Sequence, residues 1–330
     1  MNPSRRRIVG LATASLLAAP LARAQPRGRM PLLVVAVDTP DRNIDTIRAT
    51  LAKEGFVEGK SLRIAKVLLA RAPLDVIEAR AQEAVALRPD AIFTPSGPEV
   101  VLLKHLTRDI PIVFFNCVLD PVRAGLVASN ARPGGNLTGS YHDFPALILK
   151  RWALFKEVLP NLRRGGWLVD AALVETPRWK HREAAEDYAR GFLRWEPEAH
   201  AEAERRFGIR IARIAVPAGA REEDAIAALR RDRPEAVKIS FDSPPDGALD
   251  RYLISARILN DLVVRAGVVD RVAFRAAVEM LPRVLRGEPP AAIPAFQGTR
   301  YLVKVNPGLA RQMGMEIPQS VMLQAEAVEG

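Results

Sequence analysis

The sequence predicts an α/β fold of two doubly wound lobes. Three observations predict it. The first half alternates short apolar, β-branched runs with stretches of helical spacing, the pattern that gives βαβ units and a parallel sheet. A second alternating set begins after residue 140. The chain of 330 residues also exceeds what one ordinary core organises, which favours two lobes.

In chain order, Pro31 to Val37 (PLLVVAV) is a continuous apolar run, the mark of a strand buried on both faces. Ile44, Ile47 and Leu51 recur at helical spacing, and Gly55 ends that helix. Strands are expected at 62–68, 91–94 and 112–115, with helices at 75–87 and 98–106. The pattern breaks near Arg132-Pro-Gly-Gly-Asn, and 137–140 reads as a last strand leading out of the lobe. The second set opens with an amphipathic helix at 147–158. Strands then recur at 167–169, 209–216 and 236–241, separated by helices at about 178–207 and 222–231. A helix at about 271–285 stops at Arg286-Gly287, before Pro289-Pro290.

The N-terminus has the form of an export signal. Arg5, Arg6 and Arg7 precede an apolar run, Ile8 to Leu21, and Ala22-Arg23-Ala24 offers small residues where a signal peptidase reads. That run is shorter than the roughly 20 residues of a membrane span. Residues 1–24 are therefore expected to be a signal peptide cleaved after about Ala24, with the rest periplasmic. The Ser4-Arg5-Arg6-Arg7 segment also fits a twin-arginine signal, so both export routes are open. The net charge of +10 falls to about +6 once the four arginines of 1–24 are removed. The remaining arginines are scattered on helices and aromatic residues make up only 6%, which argues against nucleic-acid binding.

Motifs for chemistry are missing. There is no GxxxxGK[ST] loop, GxSxG elbow, HExxH or CxxC, and Cys117 is the only cysteine. His105, His142, His181 and His200 show no metal-ligand spacing. No catalytic residue, metal or cofactor is expected.

What remains is where strands meet helices, since open parallel sheets bind ligands beyond the carboxyl ends of their strands. In the first lobe these edges carry Asp38 and Thr39, then Ser96 and Gly97, then Asn116 and Asp120. The Ser96-Gly97-Pro98 start leaves helix N–H groups for a carboxylate or phosphate, or Ser96 simply caps its own helix. Asp120 also reads as a cap. Tyr141 has two roles open to it, cleft wall or hinge packing. In the second lobe, Asp170 and Asp242 stand at strand ends where they can meet a ligand ammonium.

Several separated blocks resemble one family. Leu51-Ala-Lys-Glu-Gly-Phe-Val-Glu-Gly-Lys60 is similar to a signature of ABC-transporter substrate-binding proteins, the group that includes tryptophan- and tyrosine-binding members. Ile110 to Phe114, Asp120 to Ser129, Ala131 to Gly139, Val284 to Pro289, Leu302 to Asn306 and Ala310 to Met315 fit the same family in the correct order. The resemblance implies a periplasmic binding protein-like fold, its two doubly wound lobes Rossmann-like and joined by a hinge, with a small-molecule solute in an interlobe cleft. It implies a membrane ABC permease as partner, a monomer, and no enzymatic activity. It divides the chain into lobe 1 (25–140 plus about 268–288) and lobe 2 (141–267 plus about 289–330). The expected solute is carboxylate-bearing and amino-acid-like. The runner-up role is a periplasmic ligand-binding sensor module that partners a membrane signalling receptor. The chain departs from the family at Ser96-Gly97-Pro98, in a shortened 267–274, and in a lengthened 178–207.

Overall fold

The computed structural model describes residues 29–37, 43–69, 74–95, 97–117, 120–171, 175–217, 221–240, 248–268 and 270–328. The expected signal peptide lies outside them.

The first lobe is built on β1 (Leu32–Val37), β2 (Arg63–Leu68), β3 (Ala91–Pro95), β4 (Ile112–Cys117) and β5 (Leu137–His142), all parallel and in the order β5-β4-β3-β1-β2. The β1 run is buried on both sides, as a central strand requires. One face carries α1 (Ile44–Lys53), and the other carries α2 (Leu74–Ala86) and α3 (Pro98–Leu106).

The second lobe starts at α4 (Phe144–Val158). Its parallel sheet contains β6 (Arg164–Asp170), β7 (Arg210–Val216), β8 (Ala236–Ser240) and β9 (Leu259–Asn260), in the order β7-β6-β8-β9. Between β6 and β7 runs α5 (Arg182–Phe207), far longer than the other helices. The helices α6 (Glu222–Asp232) and α7 (Ala248–Ser255) cover the sheet face away from α4.

The chain then returns. Strand β10 (Val264–Val268) leads to α8 (Asp270–Leu285), which packs Phe274, Ala277, Val278 and Leu281 against Leu33, Val35 and Phe93 of the first lobe. The strand that follows, β11 (Phe296–Gly298), pairs in parallel with β5 and becomes the edge of the first sheet. The return segment therefore runs past the expected boundary at 288, because β5 had an open edge that β11 pairs. A third sheet joins β10 to β12 (Tyr301–Val305) and β13 (Ala325–Val328), with α9 (Pro307–Gln312) and α10 (Gln319–Met322) between the last two. Val303, Val305, Ala310, Met313 and Val321 complete the core against α4.

Two details differ from the sequence expectation. β5 runs to His142 and α4 begins at Phe144, because the Asp143 carboxylate accepts the Ala146 N–H at 3.0 Å and caps the helix there. Gly139 in β5 faces the Phe114 carbonyl so closely that a Cβ would overlap it. Its φ of +156° also lies where a side chain is strained.

Candidate binding cleft

The chain passes between the lobes at the carboxyl ends of both sheets. From the end of β5 it enters α4. From the end of β6 it crosses back to the first lobe, where the Lys180 and His181 N–H groups donate to the Glu78 carboxylate of α2, each at 2.8 Å. The carboxyl edges of the two sheets thus lie toward the junction, the position a parallel sheet gives to ligands.

On the first-lobe side, Gly97 is the N-cap of α3 and Pro98 its first residue, with no side-chain cap. The first turn carries its own anion: Glu99 is buried at 6% exposure, and its Oε2 lies 3.1 Å from where a Gly97 Cβ would sit. Glu99 and burial together raise the Tyr188 hydroxyl pKa, burial being the larger cause. The helix dipole and the Glu99 carboxylate act in opposite directions on an incoming anion.

The Asp120 carboxylate is engaged in the next turn, where Oδ1 accepts the Val122 and Arg123 N–H groups at 2.9 and 3.1 Å. The sequence suggested a cap of a following helix; the segment after Asp120 forms turns instead, and the carboxylate holds the first of them. Tyr141 is 2% exposed within the first-lobe core, and its hydroxyl receives the Asn130 Nδ2–H at 2.5 Å. In this conformation it packs rather than lining a cavity. Asn116 lies in β4, and only that placement is described. Asp38, Thr39, Ser96 and Asp242 lie outside the described residues.

On the second-lobe side, Asp170 ends β6 and is half-buried. Ser240 ends β8, and the Trp167 Nε1–H donates to its hydroxyl at 3.3 Å. Behind this edge is a buried polar cluster that sequence reasoning missed. Lys238 of β8, 5% exposed, donates to Glu196 of α5 and to Ser240. Ser240 in turn donates to Glu196 at 3.0 Å. His200, one helical turn after Glu196, stacks on Trp167 with ring centroids 4.5 Å apart.

Burial pushes the Glu196 carboxyl up, but the Lys238 ammonium and the His200 contact outweigh it and hold it down at about 2. Burial lowers the pKa of Lys238, with Glu196 opposing it. Burial likewise lowers His200, again with Glu196 opposing. The Trp152 Nε1–H, a donor only, reaches His200 Nδ1 at 3.0 Å, so that nitrogen accepts and the ring proton sits on Nε2. The signal for this cluster was a lysine inside an apolar strand, Ala-Val-Lys-Ile-Ser, since a buried ammonium needs a partner.

Between the lobes is a cavity of about 170 Å³. Asp120, Arg123 and Ala124 form its first-lobe wall, Pro145 contributes from the start of α4, and Arg190, Gly191, Arg194, Trp195 and Glu198 of α5 form the rest. Arg123 and Glu198 pair across it at 3.2 Å. Among the described residues no group of three or more His, Cys, Asp or Glu side chains is placed to hold a metal. No described helix is long and apolar enough to cross a membrane.

Residues 32–173 match the family model described as ABC transporter substrate binding protein. A tyrosine-binding protein from Clostridioides difficile (strain R20291) is 30% identical over 126 residues, which cover 38% of this chain and 35% of that relative. Among solved structures, a conserved domain protein from Vibrio cholerae aligns with TM-score 0.69 at 19% identity, over 91% of this chain and 100% of that one. An ABC domain from Streptococcus pneumonia in complex with L-Trp aligns with TM-score 0.66 at 20% identity, over 90% and 99%. A substrate binding protein with adhesive properties from Clostridium difficile, in a ligand-free open form, aligns with TM-score 0.57 at 18% identity, over 90% and 98%. At these identities the solved structures establish the two-lobed α/β fold.

Proposed function

We propose that this chain, which through residues 32–173 belongs to the ABC transporter substrate-binding protein family, receives a small amino-acid-like solute between its lobes and delivers it to a membrane permease. Residues 1–24 act as the export signal, and the protein works in the periplasm as a monomer without chemistry of its own. The observation that carries the reading is the crossing of the chain at the carboxyl ends of both parallel sheets, which directs both ligand-binding edges to one junction. Binding then shifts a hinge equilibrium toward the closed form that the permease accepts.

The charges around the junction refine the solute class. The N-terminus of α3 favours a carboxylate, while Glu99 beside Gly97 and Asp170 at the end of β6 favour an ammonium. A zwitterion satisfies both, and a dianion meets repulsion from Glu99. The tyrosine ligand of the Clostridioides difficile relative belongs to this class.

A thermal-shift screen of residues 25–330 against amino acids, dicarboxylates and nucleosides tests this. A solute at 100 times its Kd stabilises the fold by about 2.7 kcal/mol. Amino acids are expected to give the shifts, and the matching deaminated acids to give smaller ones. Tight binding by dicarboxylates or nucleosides alone would overturn the reading.

A further inference from the structure

The long helix between β6 and β7 is shared by both lobes. Its first half belongs to the first-lobe core: Ala184, Ala185 and Tyr188, with Trp179 just before the helix, pack against Ile77, Ala81 and Val100 to Leu103 of α2 and α3. Polar contacts fix the same half. The Glu78 carboxylate receives the Lys180 and His181 N–H groups, and Asp187 contacts His105 Nε2 at 2.8 Å and Lys104 Nζ at 3.5 Å. The second half belongs to the second-lobe core, where Ala199 and Ala203 pack with Trp152 and Phe155, and Glu196 and His200 join the Lys238 cluster. Trp195 packs against both cores.

Between the two halves stands Pro197. Proline has no N–H, so the helix loses the bond it would make to the Leu193 carbonyl, and the ring crowds that carbonyl. The weakest point of the helix falls where its packing changes from one lobe to the other.

We propose that α5 is an interlobe strap that limits how far the cleft opens and that flexes at Pro197. A two-lobed protein whose crossings are only short connections opens freely about them. Here a helix buried in both cores must bend, or release one core, before the lobes separate. The inference concerns lobe motion and holds whichever solute the cleft takes.

The test uses residues 25–330 without added ligand, with Cys117→Ser as background and dyes on Lys53→Cys in α1 and Arg231→Cys in α6, both exposed positions. Single-molecule energy transfer then reads the interlobe distance distribution. The double variant Glu78→Gln/Asp187→Ala, which weakens the first-lobe grip, is expected to shift the distribution to longer distances and broaden it. Pro197→Ala, which completes the helix, is expected to narrow it. A distribution unchanged in the double variant overturns the strap, and one unchanged in Pro197→Ala overturns the flexion point. Far-ultraviolet circular dichroism of each variant confirms that the helices are intact. The absence of ligand separates this outcome from any failure of the amino-acid reading.

Discussion

At the scale of single residues, the most consequential side chains in the second lobe are charged ones held away from water. Lys238 and Glu196 lie 42 positions apart and meet because the long Lys238 side chain reaches from β8 to α5. Removing one partner of such a pair strands the other charge in the interior, which typically costs several kcal/mol. Their neighbour His200 gives the fold a testable acid response. Its folded pKa lies below the ordinary 6.5, so as pH falls through that value the unfolded chain takes up a proton that the folded chain resists. Glu196 adds a second window: its contribution is complete above pH 4.5 and is lost as pH falls toward its folded value of about 2. Urea denaturation at a series of pH values is expected to show stability declining from near pH 6.5 downward. His200→Asn, which keeps an acceptor for Trp152, should flatten the upper part of that decline. An unchanged slope would remove His200 from the account. Gly165 shows the same dependence on neighbours, since a Cβ there would collide with the Trp152 ring that fills the space beside β6.

At the scale of elements, local signals set most boundaries. The Asp143 carboxylate starts α4 at the entrance to the second lobe, and the Asp143 main-chain carbonyl accepts the Tyr301 hydroxyl at 2.8 Å. One residue thus caps a helix and ties the β5 exit to β12. Asp143→Ala is expected to cost about 1 kcal/mol from the cap alone. Chemical denaturation would measure it, and a cost near zero would mean that packing of Leu147, Ile148 and Trp152 fixes the helix start without help. The central first-lobe strand β1 was legible because a strand covered on both faces must be apolar throughout. That Asp120 serves nearby N–H groups was legible for a similar reason, as they are its sequence neighbours, although they belong to a turn and not to a helix. The short β9 and β10 were not. A two-residue strand carries no period, and β10 finds its partner only in β12, whose paired residues lie 33 to 41 positions later in the chain.

At the scale of the molecule, the two lobes are not independent bodies joined by thin linkers. Burial of α5 in both cores couples their stabilities, so calorimetry of residues 25–330 is expected to show one unfolding transition. The strap variant Glu78→Gln/Asp187→Ala should broaden or split it. Two well-separated transitions in the unaltered chain would argue that α5 contributes little to either core. The same arrangement explains why the lengthened segment at 178–207 was visible in the sequence while its role was not. Helical spacing identifies an apolar stripe, and says nothing about which partner covers each part of it.

By itself the sequence determined the class of fold, the order of the elements from β1 to β8 and the resemblance of its first half to one family. These rest on local periodicity, on short turn and cap signals, and on motifs that are contiguous in the chain. Only the tertiary structure decided that β11 completes the first sheet, that Tyr141 ends on Asn130 inside a core, that Glu99 shares the start of α3 with Gly97, and that Lys238 is answered by Glu196. Each of those depends on groups brought together from distant positions or on which face of an element is covered. A strand edge, a helix face or a lone charge in the sequence states a need, and the packing of the whole chain selects what meets it.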